Sequence, residues 1–307
     1  MSAPETAPSA SDPRTISEGL AFTKYHGLGN DFAIVELSAL SSELGAELSD
    51  PRVVQRLCDR HYGIGADGVL LVTPGESVGA RGRMTVLNSD GSRPEMCGNG
   101  LRCVALHLAR RTGEPELRID TDAGLRSCTV ELEGNTGSVT AALGRAAVLG
   151  ALEHSIDGER LALTHVSVGN PHAVVFDARY DEAQIDRLAP ALSARFPGGV
   201  NVELVRPTSS ARFEIVVWER GVGRTLACGT GAAAVAAAAC HAGRAPFGQW
   251  VKTVLPGGTL EVRVHEGSFA VDQRGPAELV YGGTLPPLGL RSASLGLRSA
   301  SGLDAGP

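Results

Sequence analysis

Met96-Cys97-Gly98-Asn99-Gly100 and Ala227-Cys228-Gly229-Thr230-Gly231 are near-copies of each other, 131 residues apart. Each sets a cysteine at the start of a segment with helical character. After Cys97, apolar residues recur at Leu101, Val104, Ala105 and Leu108, Arg110 and Arg111 fall in the last turn, and Gly113 stands as a C-terminal cap. After Cys228, Gly231 to Ala242 is nearly all alanine and ends at Gly243. Alanine favours helix and lets neighbouring strands approach on every side, which predicts a helix buried inside its domain.

Two other motifs repeat in the same order. Gly29-Asn30-Asp31-Phe32 before Ala33-Ile34-Val35 is echoed 140 residues later by Gly169-Asn170-Pro171-His172 before Ala173-Val174-Val175. The turn beginning at Thr121 is echoed 134 residues later by Leu255-Pro-Gly-Gly-Thr-Leu260. Three motifs at nearly one offset imply two similar domains in tandem, with equivalent sites facing each other across a cleft. Around the helices the chain reads as strand: Arg83–Leu87, Leu117–Thr121, Phe213–Trp218 and Thr259–Val264 are rich in β-formers. Pro51–Arg60 reads as a helix, with Asp50 as N-cap and Pro51 in the first turn. The expected class is α+β: two pseudo-symmetric tandem domains, each a curved, mostly antiparallel or mixed sheet around a central helix.

The 307 residues suffice for two such domains, and 43% hydrophobic content supplies a core. A net charge of −6 with no Lys/Arg-rich run argues against a nucleic-acid partner. The six cysteines form no CxxC pair and no zinc spacing with histidine. Met1 to Glu18 lacks the basic-then-apolar pattern of a signal peptide, and no apolar run approaches the ~18 residues of a membrane span. A cytoplasmic enzyme with reduced thiols, without metal or cofactor, is the expectation. Residues 1–20 read as a disordered leader, and residues 288–307 as a disordered tail in which Leu288 to Ser294 is repeated as Leu295 to Ser301.

A helix start presents N–H groups with no partner in the helix, and a partial positive charge. Both lower a thiol's pKa toward the thiolate, and both bind an anion. Two such starts aimed at one carboxylate would absorb charge as an amino acid's α-proton leaves. One cysteine as thiolate removes the proton and the other as thiol returns one to the opposite face. Glu219 and Arg220, after the strand ending at Trp218, would hold an ammonium and a carboxylate. Asn30, Asn88, Asn170 and Asn201 stand at strand ends or turns, where an amide suits a zwitterion or serves the turn itself. Cys58, Cys103, Cys128 and Cys240 read as packing. Gly27-Leu-Gly29 and Gly221-Val-Gly223 do not complete a dinucleotide loop.

Taken together, His26-Gly-Leu-Gly-Asn-Asp-Phe32, Gly63-Ile-Gly-Ala-Asp-Gly68, Asn88-Ser-Asp-Gly-Ser92, Met96–Gly100, Gly169–His172, Glu219-Arg-Gly221, Ala227–Gly231 and Leu255–Gly258 resemble diaminopimelate epimerase over residues 21–286. The resemblance implies a cofactor-independent conversion of L,L-diaminopimelate to the meso isomer, serving lysine and peptidoglycan precursors. It implies Cys97 and Cys228 as the two bases, and Gly98, Asn99, Gly229 and Thr230 as carboxylate-holding positions. It makes Asn30, Asn88, Asn170, Asn201 and Arg220 substrate-binding, with His172 and Glu219 assisting the thiols or the reacting ammonium. It further implies domains over residues 21–145 plus 275–287 and 146–274, a last strand near Ala277–Leu285 that returns to the first domain, an active site in the cleft, and a homodimer. Gly68 departs from members that carry a substrate-contacting glutamine there, and Arg93-Pro94 is also less usual. Proline or hydroxyproline racemases share the cysteine pair but carry histidine where Asn99 stands, and phenazine-type isomerases lack the pair. A non-catalytic anion-binding module is the alternative from another class.

Overall fold

The computed structural model describes residues 19–37, 42–176 and 181–286; the expected tail and the expected leader up to residue 18 lie outside them, whereas Leu20, expected in the leader, is buried at the start of the first strand. The first half runs β1 (Leu20–Gly27), β2 (Asn30–Glu36), α1 (Ser42–Glu47), α2 (Pro51–Cys58), β3 (Gly68–Thr73), β4 (Gly82–Asn88), α3 (Gly98–Thr112), β5 (Glu116–Asp120), β6 (Arg126–Glu133) and β7 (Thr136–Arg145). The second runs β8 (Ala147–Ile156), β9 (Glu159–Ser167), β10 (Pro171–Phe176), α4 (Glu182–Ser193), β11 (Asn201–Ser209), β12 (Arg212–Glu219) and β13 (Gly223–Arg224). It continues through α5 (Gly229–His241), β14 (Trp250–Leu255), β15 (Gly258–Val264) and β16 (Ala270–Leu285).

The pairing order explains why α3 is buried on nearly every side. Strands β1 to β7 follow one another edge to edge, and β16 joins β7 back to β1 to close a ring. Helix α3 contacts all eight strands. Leu101, Cys103, Val104, Ala105, Leu106, Leu108 and Ala109 are therefore all buried, although only one face looks apolar in sequence. The second half follows the order β16-β15-β14-β12-β11-β10-β9-β8 and wraps α5, whose residues Gly229 to Cys240 are buried without exception. Its alanines allow that enclosure, because a helix with no large side chain fits a narrower space.

The pseudo-symmetry extends to strand direction. In the first half only β2–β3 and β4–β5 are parallel, and in the second only β10–β11 and β12–β14. Each parallel β2–β3-type pair is bridged by a helix, α2 in one half and α4 in the other. The helix ends follow local chemistry: Asp50 caps α2 through the Arg52 amide, and Gly113 closes α3 at φ 76°, where a side chain would be strained. Strand β16 is longer than the expected Ala277–Leu285. Its residues 271–274 pair with β15 on one edge while 270–278 pair with β7 on the other, before Glu278–Leu285 pair with β1. Both halves thus share one hydrogen-bonded strand.

Candidate active site

The two cysteine motifs adopt one geometry. Cys97 is the N-cap of α3 (φ −139°, ψ 111°) and its sulfur accepts from the Gly100 amide at 3.4 Å. Cys228 is the N-cap of α5 (φ −124°, ψ 109°) and its sulfur accepts from the Gly231 amide at 3.3 Å. The amides of Gly98, Asn99, Gly229 and Thr230 precede the first intrahelical donors and have no partner in their helices. The two starts also touch. A Cβ added at Gly98 would lie 3.5 Å from the Gly229 Cα, and one at Gly229 would lie 3.3 Å from the Gly98 Cα. Glycine at both positions is what lets the helix ends meet.

Side chains fasten this junction. Asn99 donates through Nδ2 to Asn30 Oδ1 at 2.9 Å and to the Ala227 carbonyl at 3.0 Å, crossing from one half to the other. Asn30 in turn donates to Asp67 at 2.8 Å. Asp31 beside it pairs with Lys24 at 2.6 Å and Arg60 at 2.9 Å. Burial pushes the Asp31 carboxyl up, but Arg60 and Lys24 outweigh it and hold the pKa at about 2. The hairpin tip at Leu28 reaches the second half, where a Cβ at Gly257 would stand 2.1 Å from the Leu28 carbonyl oxygen. The Pro-Gly-Gly turn thus answers a close backbone approach.

On the Cys228 side, Thr230 Oγ1 lies 3.6 Å from the sulfur and accepts from Asn170 Nδ2 at 3.3 Å. Asn170 Oδ1 is 2.9 Å from His172 Nε2, and His172 Nδ1 is 2.7 Å from Glu203 Oε1. His172 and Glu203 are both fully buried, and Glu203 Oε2 has no partner. Glu203 was not anticipated from sequence; its only signal is an acidic residue inside the apolar strand after Asn201. Glu219 accepts from Thr225 Oγ1 at 2.6 Å, and its carboxylate is near enough to Cys228 to raise that thiol. Arg102 and Gln273, both wholly buried beside the helix starts, were likewise missed.

The remaining expected residues sit around this cluster rather than in it. Asn201 donates to the Pro171 carbonyl at 3.1 Å and accepts from the Arg220 amide at 2.9 Å, while the Arg220 side chain is exposed. Asn88 donates to Ser92 at 3.0 Å, and no hydrogen bond joins it to the thiol cluster among the described residues. It faces Gly68 across β3 and β4. A Cβ at Gly68 would meet the Leu87 carbonyl oxygen at 2.7 Å and the Phe32 ring at 3.3 Å, so Phe32 occupies the room a side chain there would need.

One electrostatic expectation is reversed. The helix starts were to lower both thiols, yet burial pushes Cys97 up to about 11 and Cys228 well above its ordinary value. The Gly100 and Gly231 amides oppose burial but do not win, and the Glu219 carboxylate raises both thiols further. Burial also raises Glu219 itself. Burial and the neighbouring carboxylate thus favour the protonated form of both sulfurs. An open recess of about 470 Å³, lined by Arg212, Lys252, Glu261 and Arg274 among others, contains neither thiol. Its Arg274 is already paired with Glu261 at 2.7 Å. No helix of the described residues is long and apolar enough to cross a membrane.

Among solved structures the chain is similar in fold to a hydroxyproline epimerase from Agrobacterium vitis (TM-score 0.68, 17% identity, 89% of this chain and 92% of that one). It is also similar to a phenazine biosynthesis protein of the PhzF family from Bacillus anthracis (TM-score 0.67, 14% identity, 87% and 99%). At those identities the likeness concerns the fold alone. Sequence relatives go further. The diaminopimelate epimerase of Desulforudis audaxviator is 41% identical over 285 residues, covering 86% of this chain and 98% of the relative. The chloroplastic diaminopimelate epimerase of Oryza sativa subsp. japonica is 36% identical over 313 residues, covering 92% and 86%. With residues 22–149 and 164–280 matching the diaminopimelate epimerase family model, the chain belongs to that family.

Proposed function

We propose that this protein converts L,L-diaminopimelate to meso-diaminopimelate with Cys97 and Cys228 as the two bases. One observation carries the mechanism: two cysteines cap two abutting helices with the same backbone geometry, one from each half. A single α-carbon between them has a sulfur toward each face. The four helix-start amides of Gly98, Asn99, Gly229 and Thr230 hold the adjacent carboxylate and take up the charge that builds on it as the proton leaves. One thiolate accepts the α-proton, so that a C–H bond breaks and an S–H bond forms. The opposite thiol then gives its proton to the other face, and the thiolate changes sides.

The raised thiols bear on timing. A sulfur loses its proton most easily while hydrated, near the ordinary ~8.5 of a free cysteine. Deprotonation therefore belongs to the open cleft, and closure over the substrate strips water from the thiolate and strengthens it as a base. Glu219, beside Cys228 and Thr225, holds the reacting ammonium, with His172 and Asn170 supporting Thr230. Asn30, Asn88, Asn170, Asn201 and Arg220 bind the substrate, the last few of them reading its second amino-acid end. The family resemblance supports a homodimer, which sedimentation of the purified protein would measure.

Incubation of the reduced protein with L,L-diaminopimelate in D2O tests the reading. The expected product is the meso isomer carrying deuterium at one α-carbon. Cys97→Ala and Cys228→Ala are each expected to abolish epimerisation with folding retained. Near-normal turnover in either variant rejects the two-base assignment. Exchange of proline instead of diaminopimelate, or binding without exchange, rejects the substrate or the chemistry.

A further inference from the structure

Arg102 is a fully buried cation that the proposed chemistry leaves without a role. Its guanidinium donates to four acceptors: the Pro276 carbonyl at 3.3 Å, the Gly98 carbonyl at 3.4 Å, Gln273 Oε1 at 2.7 Å and Asn99 Oδ1 at 2.8 Å. All four are neutral. Among the described residues no carboxylate is hydrogen-bonded to it. A buried charge costs several kcal/mol unless an opposite charge or a full set of hydrogen bonds offsets the loss of water. Here the hydrogen bonds are present and the counter-charge is not.

The acceptors show where that charge acts. Asn99 passes its own hydrogen bonds to Asn30 and to the Ala227 carbonyl, just before Cys228. Gln273 is also fully buried and donates to the Gly229 carbonyl at 2.7 Å. Arg102 therefore grips the start of its own helix directly, and the start of α5 through two amides. Two helix N-termini, each partly positive, converge in front of it. The groups facing Cys97 are Arg102 and, from β12, Glu219. Those facing Cys228 are Glu219, Glu203 from β11 and the Thr230 hydroxyl, and the thiols of Cys103 and Cys97 face Arg102.

We propose that Arg102 is a positioning residue of the proton transfer: through Asn99 and Gln273 it locks the two helix starts together, and its unneutralised charge keeps the space between the thiols receptive to a carboxylate and a thiolate at once. The choice of anion rests on the epimerase reading; the effect on the thiols does not.

The test compares Arg102→Met, Arg102→Lys and Gln273→Glu with the unaltered protein. It follows iodoacetamide labelling of Cys97 against pH, resolved by peptide mass, together with kcat, KM and Tm. Arg102→Met is expected to move the labelling midpoint up by about one pH unit and to lower kcat at least ~10-fold. Arg102→Lys keeps the charge and is expected to leave the midpoint near that of the unaltered protein, although kcat falls because the amides are less well held. Gln273→Glu puts a carboxylate against the guanidinium and is expected to raise the midpoint as Arg102→Met does. If Arg102 only holds the fold together, Arg102→Lys moves the midpoint as far as Arg102→Met does, and the proposal is overturned. Should Arg102→Met fail to fold, the other two variants make the same comparison. Labelling needs no substrate, so shifted midpoints in a protein that exchanges no α-proton reject the epimerase reading and leave the role of Arg102 standing.

Discussion

Glu219 is the charged group that, after burial, raises both Cys97 and Cys228. The Thr225 hydroxyl holds its carboxylate in place. Glu219→Gln removes that charge with little change of shape. Both thiols should then react with iodoacetamide at lower pH than in the unaltered protein, while epimerisation falls by about 10²-fold through loss of the proposed anchor of the ammonium. Faster labelling and slower turnover in one variant would separate thiol acidity from catalytic competence; a parallel fall in both would show that Glu219 only packs. At this scale the sequence was legible where residues recur. Cys97, Cys228, Asn30 and Asn170 stand out because each has an echo. Glu203, Arg102 and Gln273 have none, and each gains its meaning from a neighbour far along the chain, such as Gln273 from Arg102 at 2.7 Å.

Between elements, the decisive contacts are backbone to backbone. Helices α3 and α5 meet at Gly98 and Gly229, and the β1–β2 hairpin rests on the turn between β14 and β15 at Gly257. A methyl group at Gly257 has no space unless the hairpin moves. Gly257→Ala should cost ~1–3 kcal/mol of stability and lower turnover, with faster hydrogen exchange over Gly27–Asn30. Unchanged exchange there would show that the hairpin does not need this seat. The helices themselves were readable from period and caps. Their surroundings were not. The apolar positions of α3 mark one face, whereas a ring of eight strands buries the others too, and Arg102 falls on a side that an ordinary helix would turn to water. Periodicity reports how many faces are apolar, and it does not tell how a polar group on another face is satisfied.

For the whole molecule, the shared burial of its thiols has a thermodynamic consequence. Burial raises Cys58, Cys103 and Cys128 to about 12 and Cys97 and Cys240 to about 11. Unfolded, each ionises near ~8.5. Above that pH the unfolded chain sheds protons that the folded one keeps, so stability falls as pH rises, by up to about 1.4 kcal/mol per pH unit for each thiol. The urea midpoint should drop steeply between pH 9 and 11, and Cys128→Ala should shallow the slope. A flat midpoint over that range would mean the thiols ionise as freely folded as unfolded. Tandem symmetry was visible from the motif offsets, whereas the return of the last strand to the first domain came from the family resemblance alone, because strand order leaves no local mark.

That closing strand also bears on how the protein is made. Residues 270–285 complete the ring around α3, and they lie about 160 positions beyond its last helical residue, Thr112. While a ribosome is still building the second half, the first half lacks its eighth strand and has two open edges, at β1 and β7. Its helix stays incompletely enclosed until the chain has almost ended. The N-terminal half must therefore wait, and Cys97 and Cys228 come together only when synthesis is nearly done.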